Sequence, residues 1–355
     1  MLPAPPPTSP PREWPLVSIL IVNYNGARVL ADCLASLGQV TYPQFEVIVV
    51  DNASTDNSAE ILGRYPSVRV LKSDCNRGFA GGNNFGLPVC CGQFILLLNS
   101  DTIVTPDFLQ PLVEYLQNFP RVGIVQGKMI LSRHGNALDV CGSFLTSFGF
   151  LYHYGYWKQN SPKYDCSYPV FTVKGACMLF RRELVAAVGG YLFNEDFFCY
   201  YEETDFCHRV WLAGYEAHFV HTSTIQHLQG ATSEITQSSG FVLRQFLANQ
   251  TFGLLANLSI VSLWLIMPGY FLVFFASMAM AAITGNRLVL EAHWHALAVN
   301  WHRRGKIIFQ REVISRTRKI TDQELFAKTL RNPRLSYFFK TFQNRLKNYK
   351  DGNLS

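Results

Sequence analysis

Residues 16–130 alternate short apolar runs with segments of helical periodicity, and this alternation constrains the fold more than any other feature of the chain. Leu16–Val22, Phe45–Val50 and Phe94–Leu98 are almost continuously apolar, a pattern typical of strands buried on both faces. Leu30–Leu37 repeats leucine and cysteine at helical spacing. Because strands that alternate with helices form mostly parallel sheets covered on both faces, the sequence predicts an α/β fold.

Polar clusters follow three of these strands, and the carboxyl ends of parallel strands are where α/β proteins bind ligands. The clusters are Asn23–Asn25, Asp51–Asn52 and Asn99–Asp101. A carboxylate such as Asp101 suits a divalent cation that bridges two phosphates, although a turn or a helix cap explains it equally well. Asp51 could accept hydrogen bonds from a base or ribose, while Ser54 or Asp56 caps the next helix, and capping alone would explain half of these residues.

The glycine-rich stretch Asn76–Asn84 combines three amide side chains, one arginine and three glycines. Glycine lets main-chain N–H groups approach a phosphate closely, and a helix that begins there adds its dipole. The stretch lacks the Gly-Lys-Ser/Thr of a Walker A loop and the spacing of a dinucleotide-binding motif. By itself it predicts a phosphate contact with little specificity.

Three acids lie within four positions at the predicted start of a helix: Glu202, Glu203 and Asp205. Neighbouring carboxylates raise one another's pKa, which suits a general base that works near neutral pH. The alternative is an acidic first turn that stabilises the helix dipole. His227 follows 24 residues after Glu203, beyond a predicted strand at 216–221, and nothing local separates it from other histidines.

Between Arg244 and Arg287 lie 42 residues without a formal charge, and the chain from Arg303 onward carries 14 Lys/Arg against 4 Asp/Glu. The uncharged segment is long enough to span a membrane, but Pro268 near its middle predicts a break or a kink in the helix. The two arms on either side of Pro268 are each short, and the basic residues that flank the segment prefer the cytoplasm. Both features favour a re-entrant or interfacial helical hairpin. A buried helical pair or an oligomer interface is the alternative. The rest of the chain is slightly acidic, which argues against a nucleic-acid-binding body.

Residues 1–15 are rich in proline and lack the apolar core of a signal peptide, which predicts a disordered leader and a cytosolic start. The nine cysteines are odd in number and have no metal-ligand spacing, which indicates a reducing compartment. We therefore expect the chain at the cytoplasmic face of the cell membrane, held there peripherally, by a re-entrant hairpin or by a single span.

Taken together, these motifs resemble family 2 glycosyltransferases with the GT-A fold, a Rossmann-like mixed sheet, over about residues 16–235. The similarity is greatest to the rhamnosyltransferase-like branch that builds bacterial surface polysaccharides. The segments that carry the resemblance are Val17–Asn25, Val50–Asn57, Asn76–Asn84, Leu98–Asp101, Lys174–Ala176, Arg181–Gly190, Glu195–Phe198, Tyr201–Arg209, Gly214–Tyr215 and His227.

The resemblance implies how a donor would be held. Asn23 and Asp51 would hold the nucleoside of a nucleotide sugar. Residues of the glycine-rich stretch would lie along the rest of the donor; these are Asn76, Arg77, Gly78 and Asn84.

The resemblance also implies the catalytic groups. Asp101 matches the last acid of the family's Asp-x-Asp motif, which holds Mn²⁺ or Mg²⁺ on the diphosphate, and His227 matches a histidine near that metal in relatives. Glu203 matches the base that activates the acceptor, with Glu202 beside it. Many relatives have Glu-Asp in place of this Glu-Glu pair.

The function implied is an inverting glycosyltransferase that moves a sugar, with dTDP-rhamnose favoured as donor, to a lipid-linked glycan acceptor at a membrane surface. Asn99 replaces the first acid of Asp-x-Asp, which keeps open a catalytically inactive carbohydrate-binding or scaffold subunit. The expected domains are a leader (1–15), a GT-A domain (16–240) with a nucleotide-sugar half (16–130) and an acceptor half (131–240), an apolar helical membrane-associated segment (241–300) and a basic helical tail (301–355).

Overall fold

The structure, a computed structural model, describes residues 14–228 and 239–334. The predicted leader, apart from its last two residues, and the end of the predicted basic tail lie outside the described residues. The strands are β1 (Val17–Asn23), β2 (Phe45–Asp51), β3 (Val68–Lys72), β4 (Phe94–Leu98), β5 (Thr102–Val104), β6 (Val122–Leu131), β7 (Ala137–Leu138), β8 (Ser143–Leu145), β9 (Leu151–His153), β10 (Tyr168–Val170), β11 (Cys177–Arg181) and β12 (Glu216–His227).

The described residues also form eleven α-helices. They are α1 (Ala27–Leu37), α2 (Ser58–Gly63), α3 (Gly78–Gly86), α4 (Leu109–Asn118), α5 (Leu184–Ala187), α6 (Glu202–Leu212), α7 (Ser239–Asn257), α8 (Ile260–Ile283), α9 (Arg287–His302), α10 (Arg304–Thr317) and α11 (Asp322–Thr329).

A ten-stranded mixed sheet forms the centre, in the order β10-β12-β6-β11-β4-β1-β2-β3, with β5 paired to β12 and β7 paired to β6. β1 pairs in parallel with β2 and β4, and β11 lies antiparallel between β4 and β6. The predicted parallel strands of the first half are therefore confirmed. Because β1, β2 and β4 run in one direction, the polar residues that follow them meet at one edge of the sheet.

The sheet is covered on both faces, as the apolar strand pattern predicts. Ile19 and Ile21 of β1 pack in one buried cluster with residues of α1 and α4. Leu20, which points to the opposite face, packs in a second cluster with residues of α6 and of the C-terminal helices. β12 is longer than the predicted strand at 216–221 and continues to His227, with a register shift between Val220 and Thr224.

The C-terminal helices share the core of the sheet domain. Leu247, Ala248 and Phe252 of α7 are buried in the same cluster as Trp211 of α6. Residues 241–257, which the sequence assigned to a membrane-associated segment, are therefore packed inside the protein. This burial leaves α8 as the part of that segment with an apolar surface.

The predicted break at Pro268 is wrong, because α8 continues through it as one helix of 24 residues. Pro268 is exposed, so the backbone hydrogen bond that proline forfeits lies on the outer side of the helix, where no protein packs. Among the described residues, α8 alone is long and apolar enough to cross a membrane by length and composition, and a third of its apolar window is buried.

Candidate active site

The ends of β1 and β2 are tied together by side chains that the sequence assigned to nucleoside binding. Asn23 is fully buried and donates from Nδ2 to Ser54 Oγ at 3.2 Å. Asp51, which is 7% exposed, accepts from the backbone N–H of Ser54 at 3.1 Å with one carboxylate oxygen. Asn23 thus supports the loop after β2, while Asp51 stands at the site edge with a carboxylate available for a ligand.

Asn52, which sequence reasoning did not select, folds the start of the glycine-rich stretch. Its Nδ2 donates to Asn76 Oδ1 at 3.0 Å and to the Gly78 carbonyl at 3.1 Å, while its Oδ1 accepts from Arg77 N–H at 3.0 Å. Asn76 also accepts the N–H of Gly78 at 2.9 Å, so its side chain holds the loop. The Arg77 guanidinium bonds Asp74 at 2.6 Å and keeps a third of its side chain exposed.

Gly78 lets the glycine-rich stretch approach the loop that precedes Glu202. Its φ is +68°, and a Cβ on this residue would lie 2.3 Å from the carbonyl oxygen of Phe198. The next turn of α3 then donates Ala80 N–H to that same oxygen at 3.0 Å. Only glycine permits this backbone contact.

Asn84 braces the two halves of the domain. Its Nδ2 donates to the Phe193 carbonyl at 2.9 Å and to Glu195 Oε1 at 3.1 Å, and its Oδ1 accepts Phe193 N–H at 3.1 Å. These contacts occupy both ends of the amide, and the predicted contact of Asn84 with a nucleotide sugar stays a prediction.

Asp101 and His227 come together as the sequence predicts. His227 Nε2 lies 3.3 Å from Asp101 Oδ1, and both side chains are almost fully buried. The other ring nitrogen, Nδ1, lies 2.6 Å from Asp139 Oδ2, and Asp139 is wholly buried. A carboxylate on Nδ1 fixes the ring orientation and leaves Nε2 to act as a ligand.

Lys174 completes this cluster from the segment before β11. Its Nζ lies 2.7 and 2.6 Å from the two carboxylate oxygens of Asp139. Burial would raise the pKa of Asp139, but the charge of Lys174 and the hydrogen bond to His227 outweigh it and hold that pKa well below its ordinary value. Burial likewise opposes the ionised form of Asp101, yet His227 and Lys174 lower its pKa overall.

Asp139 and Lys174 are the functional residues that sequence reasoning did not select as candidates. Asp139 lies in a segment without helical or strand periodicity, and its contact with His227 joins residues 88 positions apart. Lys174 stands within a motif that carries the family resemblance, but its position gives no sign of its partner.

The donor set fits a divalent cation. A carboxylate and an imidazole 3.3 Å apart match neighbouring positions of an octahedral ion, which lie about 3 Å apart. Imidazole is a better ligand for a transition metal such as Mn²⁺ than for Mg²⁺. No group of three or more His, Cys, Asp and Glu side chains in the described part of the chain is arranged to hold a metal, so diphosphate oxygens and water would supply the remaining ligands.

Glu202 and Glu203 begin α6 on the other side of the site. The preceding base loop, Phe197–Tyr201, has positive φ at Phe198 (58°), Tyr200 (68°) and Tyr201 (78°). Non-glycine residues rarely adopt such angles, and they cluster at functional sites where surrounding contacts enforce them. Glu202 is buried, whereas Glu203 keeps part of its surface.

The two glutamates differ in their electrostatics. Burial and then the neighbouring Glu203 raise the pKa of Glu202 well above its ordinary value. Burial also raises the pKa of Glu203, but backbone hydrogen bonds and the charge of Lys174 oppose that rise. The pKa of both carboxyls is therefore raised, and the groups that favour the ionised form, Lys174 among them, act on Glu203.

The third acid of this cluster, Asp205, is structural. It is fully buried and bonds Arg209 at 2.9 Å, and it also accepts from Asn257 at 2.9 Å and from Gln310 at 2.7 Å. These partners lie on α6, α7 and α10, so Asp205 joins α6 to the C-terminal helices.

Comparisons with known sequences and structures show what this chain is similar to. Residues 18–189 match the family Glycosyl transferase family 2. The glycosyltransferase GlyG of Streptococcus pneumoniae is 34% identical over 106 residues, which cover 29% of this chain and 35% of that protein. The N-acetylglucosaminyl-diphospho-decaprenol L-rhamnosyltransferase of Mycobacterium tuberculosis is 25% identical over 237 residues, which cover 60% of this chain and 76% of that protein.

Among solved structures, the mannosyltransferase PcManGT of Pyrobaculum calidifontis in complex with GDP-Man and Mn²⁺ matches 88% of this chain and 88% of its own, with a TM-score of 0.50 and 20% identity. That likeness shows the fold. The chain spans a quarter to about two fifths of the length of the first curated relatives it matches. From the mixed sheet, the matched segment and this structural likeness together, the chain has the GT-A fold and contains a glycosyl transferase family 2 domain.

Proposed function

We propose that the protein is an inverting, metal-dependent glycosyltransferase that transfers a sugar from a nucleotide sugar to a lipid-linked glycan. One observation carries the proposal: the segment Lys174–Gly175 contacts both sides of the site, because Lys174 Nζ bonds Asp139, the partner of His227, while Gly175 approaches Glu203. Gly175 lies between the two sides, since a Cβ there would be 3.1 Å from the Phe79 ring and 3.8 Å from Glu203 Cβ.

The mechanism is a single displacement. The acceptor hydroxyl oxygen attacks the anomeric carbon as Glu203 takes its proton, and the bond between that carbon and the diphosphate oxygen breaks with inversion. The electron pair of the broken bond leaves with the nucleoside diphosphate. Asp101 and His227 would hold the metal ion, which when bound neutralises charge on the diphosphate.

The substrates are proposed from the relatives. The mycobacterial relative is by name an L-rhamnosyltransferase of a diphospho-decaprenol-linked sugar, which supports dTDP-rhamnose as donor and a diphospho-lipid glycan as acceptor. Surface polysaccharide synthesis at the cytoplasmic face of the membrane is the setting in which such a donor and such an acceptor meet. Asn99 in place of the first Asp-x-Asp acid leaves the scaffold subunit as the alternative.

The purified full chain, incubated with a panel of sugar nucleotides, tests the proposal. We expect slow release of nucleoside diphosphate from dTDP-rhamnose, stimulated by Mn²⁺ more than by Mg²⁺ and faster when a diphospho-lipid sugar is added. UDP-, GDP- and CMP-sugars serve as controls for the donor. Release from another donor alone would reject rhamnose, and the absence of both release and thermal stabilisation by any nucleotide would support the scaffold alternative.

The membrane partner is proposed from the surface of α8. The α8 outer face consists of Val261, Trp264, Leu265, Leu272, Phe275 and Ile283, which are 50–81% exposed. A patch of this kind marks an interaction surface. The chain that follows α8 carries the exposed side chains of Trp294 and Trp301 on α9 and the exposed cations Arg304 and Lys306. Tryptophan and cationic side chains are the groups that favour a lipid headgroup region.

The packing of α8 against the protein supports an orientation in the membrane plane over one across the bilayer. Its inner side stacks Tyr270 on Phe150 at 5.0 Å, bonds Tyr270 to Thr251 at 2.8 Å and places Phe274 4.5 Å from His293. A span across the bilayer would have to give up these contacts with the sheet domain, α7 and α9. We therefore propose interfacial docking through the α8 outer face.

Vesicle binding tests this docking. The double variant L265E/L272E puts carboxylates at positions 73% and 70% exposed, where no protein packing is lost. We expect at least a tenfold weaker partition into anionic vesicles with an unchanged melting temperature, because each charge opposes insertion by about 2–3 kcal/mol. F119E, at a 49% exposed position outside this face, is the matched control and should bind as the wild type does. Equal binding by all three proteins would refute docking through α8.

A further inference from the structure

The base loop, Phe197–Tyr201, is held by a helix outside the matched domain. Asn249 of α7 is fully buried, and its Nδ2 lies 3.0 Å from the carbonyl oxygen of Phe197, 3.1 Å from that of Cys199 and 2.8 Å from that of Tyr200. One amide group therefore gathers the carbonyls of the loop that has three positive φ angles.

The other end of this amide is also fixed. Asn249 Oδ1 accepts from Arg303, between α9 and α10, at 3.3 Å, and Arg303 also donates to the carbonyl of Asp196, just before the base loop. Gln245, one turn earlier on α7, donates to the Phe197 carbonyl at 3.2 Å. The C-terminal helices thus contact the base loop through Asn249 and Gln245, and Arg303 binds both Asn249 and the residue just before the loop.

The base loop in turn contacts the donor side of the site. Phe198 offers its carbonyl to Ala80 N–H of α3, the helix that begins at Gly78. On its other end the loop leads directly into Glu202 and Glu203. A shift of the loop would therefore displace the base and the glycine-rich stretch relative to each other.

We infer that Asn249 is a positioning residue for the reaction: by holding the base loop in its strained conformation, it sets the place of Glu203 against the donor. The inference rests on the proposed function for its catalytic part. The C-terminal helices then do more than contact a membrane, because α7 supplies the hydrogen bonds from Asn249 that hold the base loop.

The test compares N249D with N300D in the full chain. N249D keeps the shape of the side chain and the oxygen that accepts from Arg303. It replaces the amide NH₂, which faces three carbonyl oxygens, by a second oxygen. Asn300 is a matched control, because it is also buried and donates from Nδ2 to two carbonyls, Ala248 at 2.9 Å and Ala296 at 2.8 Å, without touching the base loop. Hydrogen–deuterium exchange, melting temperature and steady-state kinetics of donor turnover are measured for both.

We expect N249D to speed amide exchange in residues 197–203 and at Ala80, and N300D to leave exchange there as in the wild type. We expect kcat of N249D to fall by about 10²-fold, as for a misplacement of about 1 Å, with the KM for the donor within twofold. The melting temperatures of the two variants should fall by similar amounts.

Unchanged exchange in N249D would overturn the inference, and so would faster exchange with unchanged kcat or an equal loss of kcat in N300D. A wild type that turns over no donor would instead refute the proposed function, and the exchange comparison would then decide whether Asn249 holds the loop.

Discussion

Replacement of Glu203 by glutamine should abolish sugar transfer while leaving the fold and nucleotide binding intact. Glutamine has the shape of the carboxylate but cannot accept the proton of the acceptor hydroxyl, so we expect kcat to fall by at least about 10³-fold, toward the upper end of general-base effects. Glu203 makes no ion pair, so the melting temperature should change little. Steady-state turnover of the donor, with nucleotide binding by calorimetry, measures both effects.

Glu202→Gln is the matched control for this loss. Burial and then Glu203 raise the pKa of Glu202 and so favour its protonated form, which glutamine resembles, and we expect this variant to retain activity within about tenfold. A loss in E202Q equal to that in E203Q would contradict the division of roles between the two residues.

The pH profile provides a second check on the base. A base must be deprotonated to act, and the pKa of Glu203 is raised, so kcat should fall with decreasing pH at a higher pH than an ordinary glutamate would require. The acid limb should be absent from the residual activity of E203Q. Persistence of the same limb in E203Q would assign it to another group.

The local sequence pattern was sufficient to place Asp101 and Glu203. The apolar run Phe94–Leu98 ends three residues before Asp101 and so predicts its place at the sheet edge, and the acidic cluster marks the start of α6. His227 was matched by resemblance, since the polar residues after His221 hide the continuation of β12. Alternation in a strand is hard to recognise where a register shift interrupts it.

Contacts distant in the chain could not be predicted in this way. Asn249 lies in a segment that the sequence shows only as long and uncharged, and only the folded structure shows that its amide reaches carbonyls about 50 residues earlier. The same apolar composition concealed that α7 is buried and α8 is exposed. Hydropathy does not distinguish a helix covered by protein from one covered by lipid, because both surroundings are apolar.

Replacement of Asp101 by asparagine should remove the metal site and most of the activity. Asparagine keeps the size of the side chain but loses the negative charge that a divalent cation requires. With His227 left as a neutral ligand, we expect Mn²⁺ affinity to fall by about 10²-fold or more, measured by paramagnetic resonance with nucleoside diphosphate present. Transfer should fall by about 10³-fold, comparable to the loss of a group that stabilises charge in the transition state.

Asp139→Asn tests the role of the residue that orients His227, apart from the roles of the proposed metal ligands themselves. It removes the negative charge that His227 Nδ1 and Lys174 share, and the loss of such an outer partner typically costs 10–100-fold in metal affinity. Asp165→Asn is the matched control, because it breaks a Lys–Asp pair of the same kind, with Lys128, in which His227 takes no part. We therefore expect the wild type and D165N to bind Mn²⁺ equally well, D139N to bind it more weakly and D101N to bind it most weakly. If D101N binds Mn²⁺ as the wild type does, the Asp101–His227 pair is a buried ion pair of the fold, and the leaving diphosphate must be neutralised elsewhere.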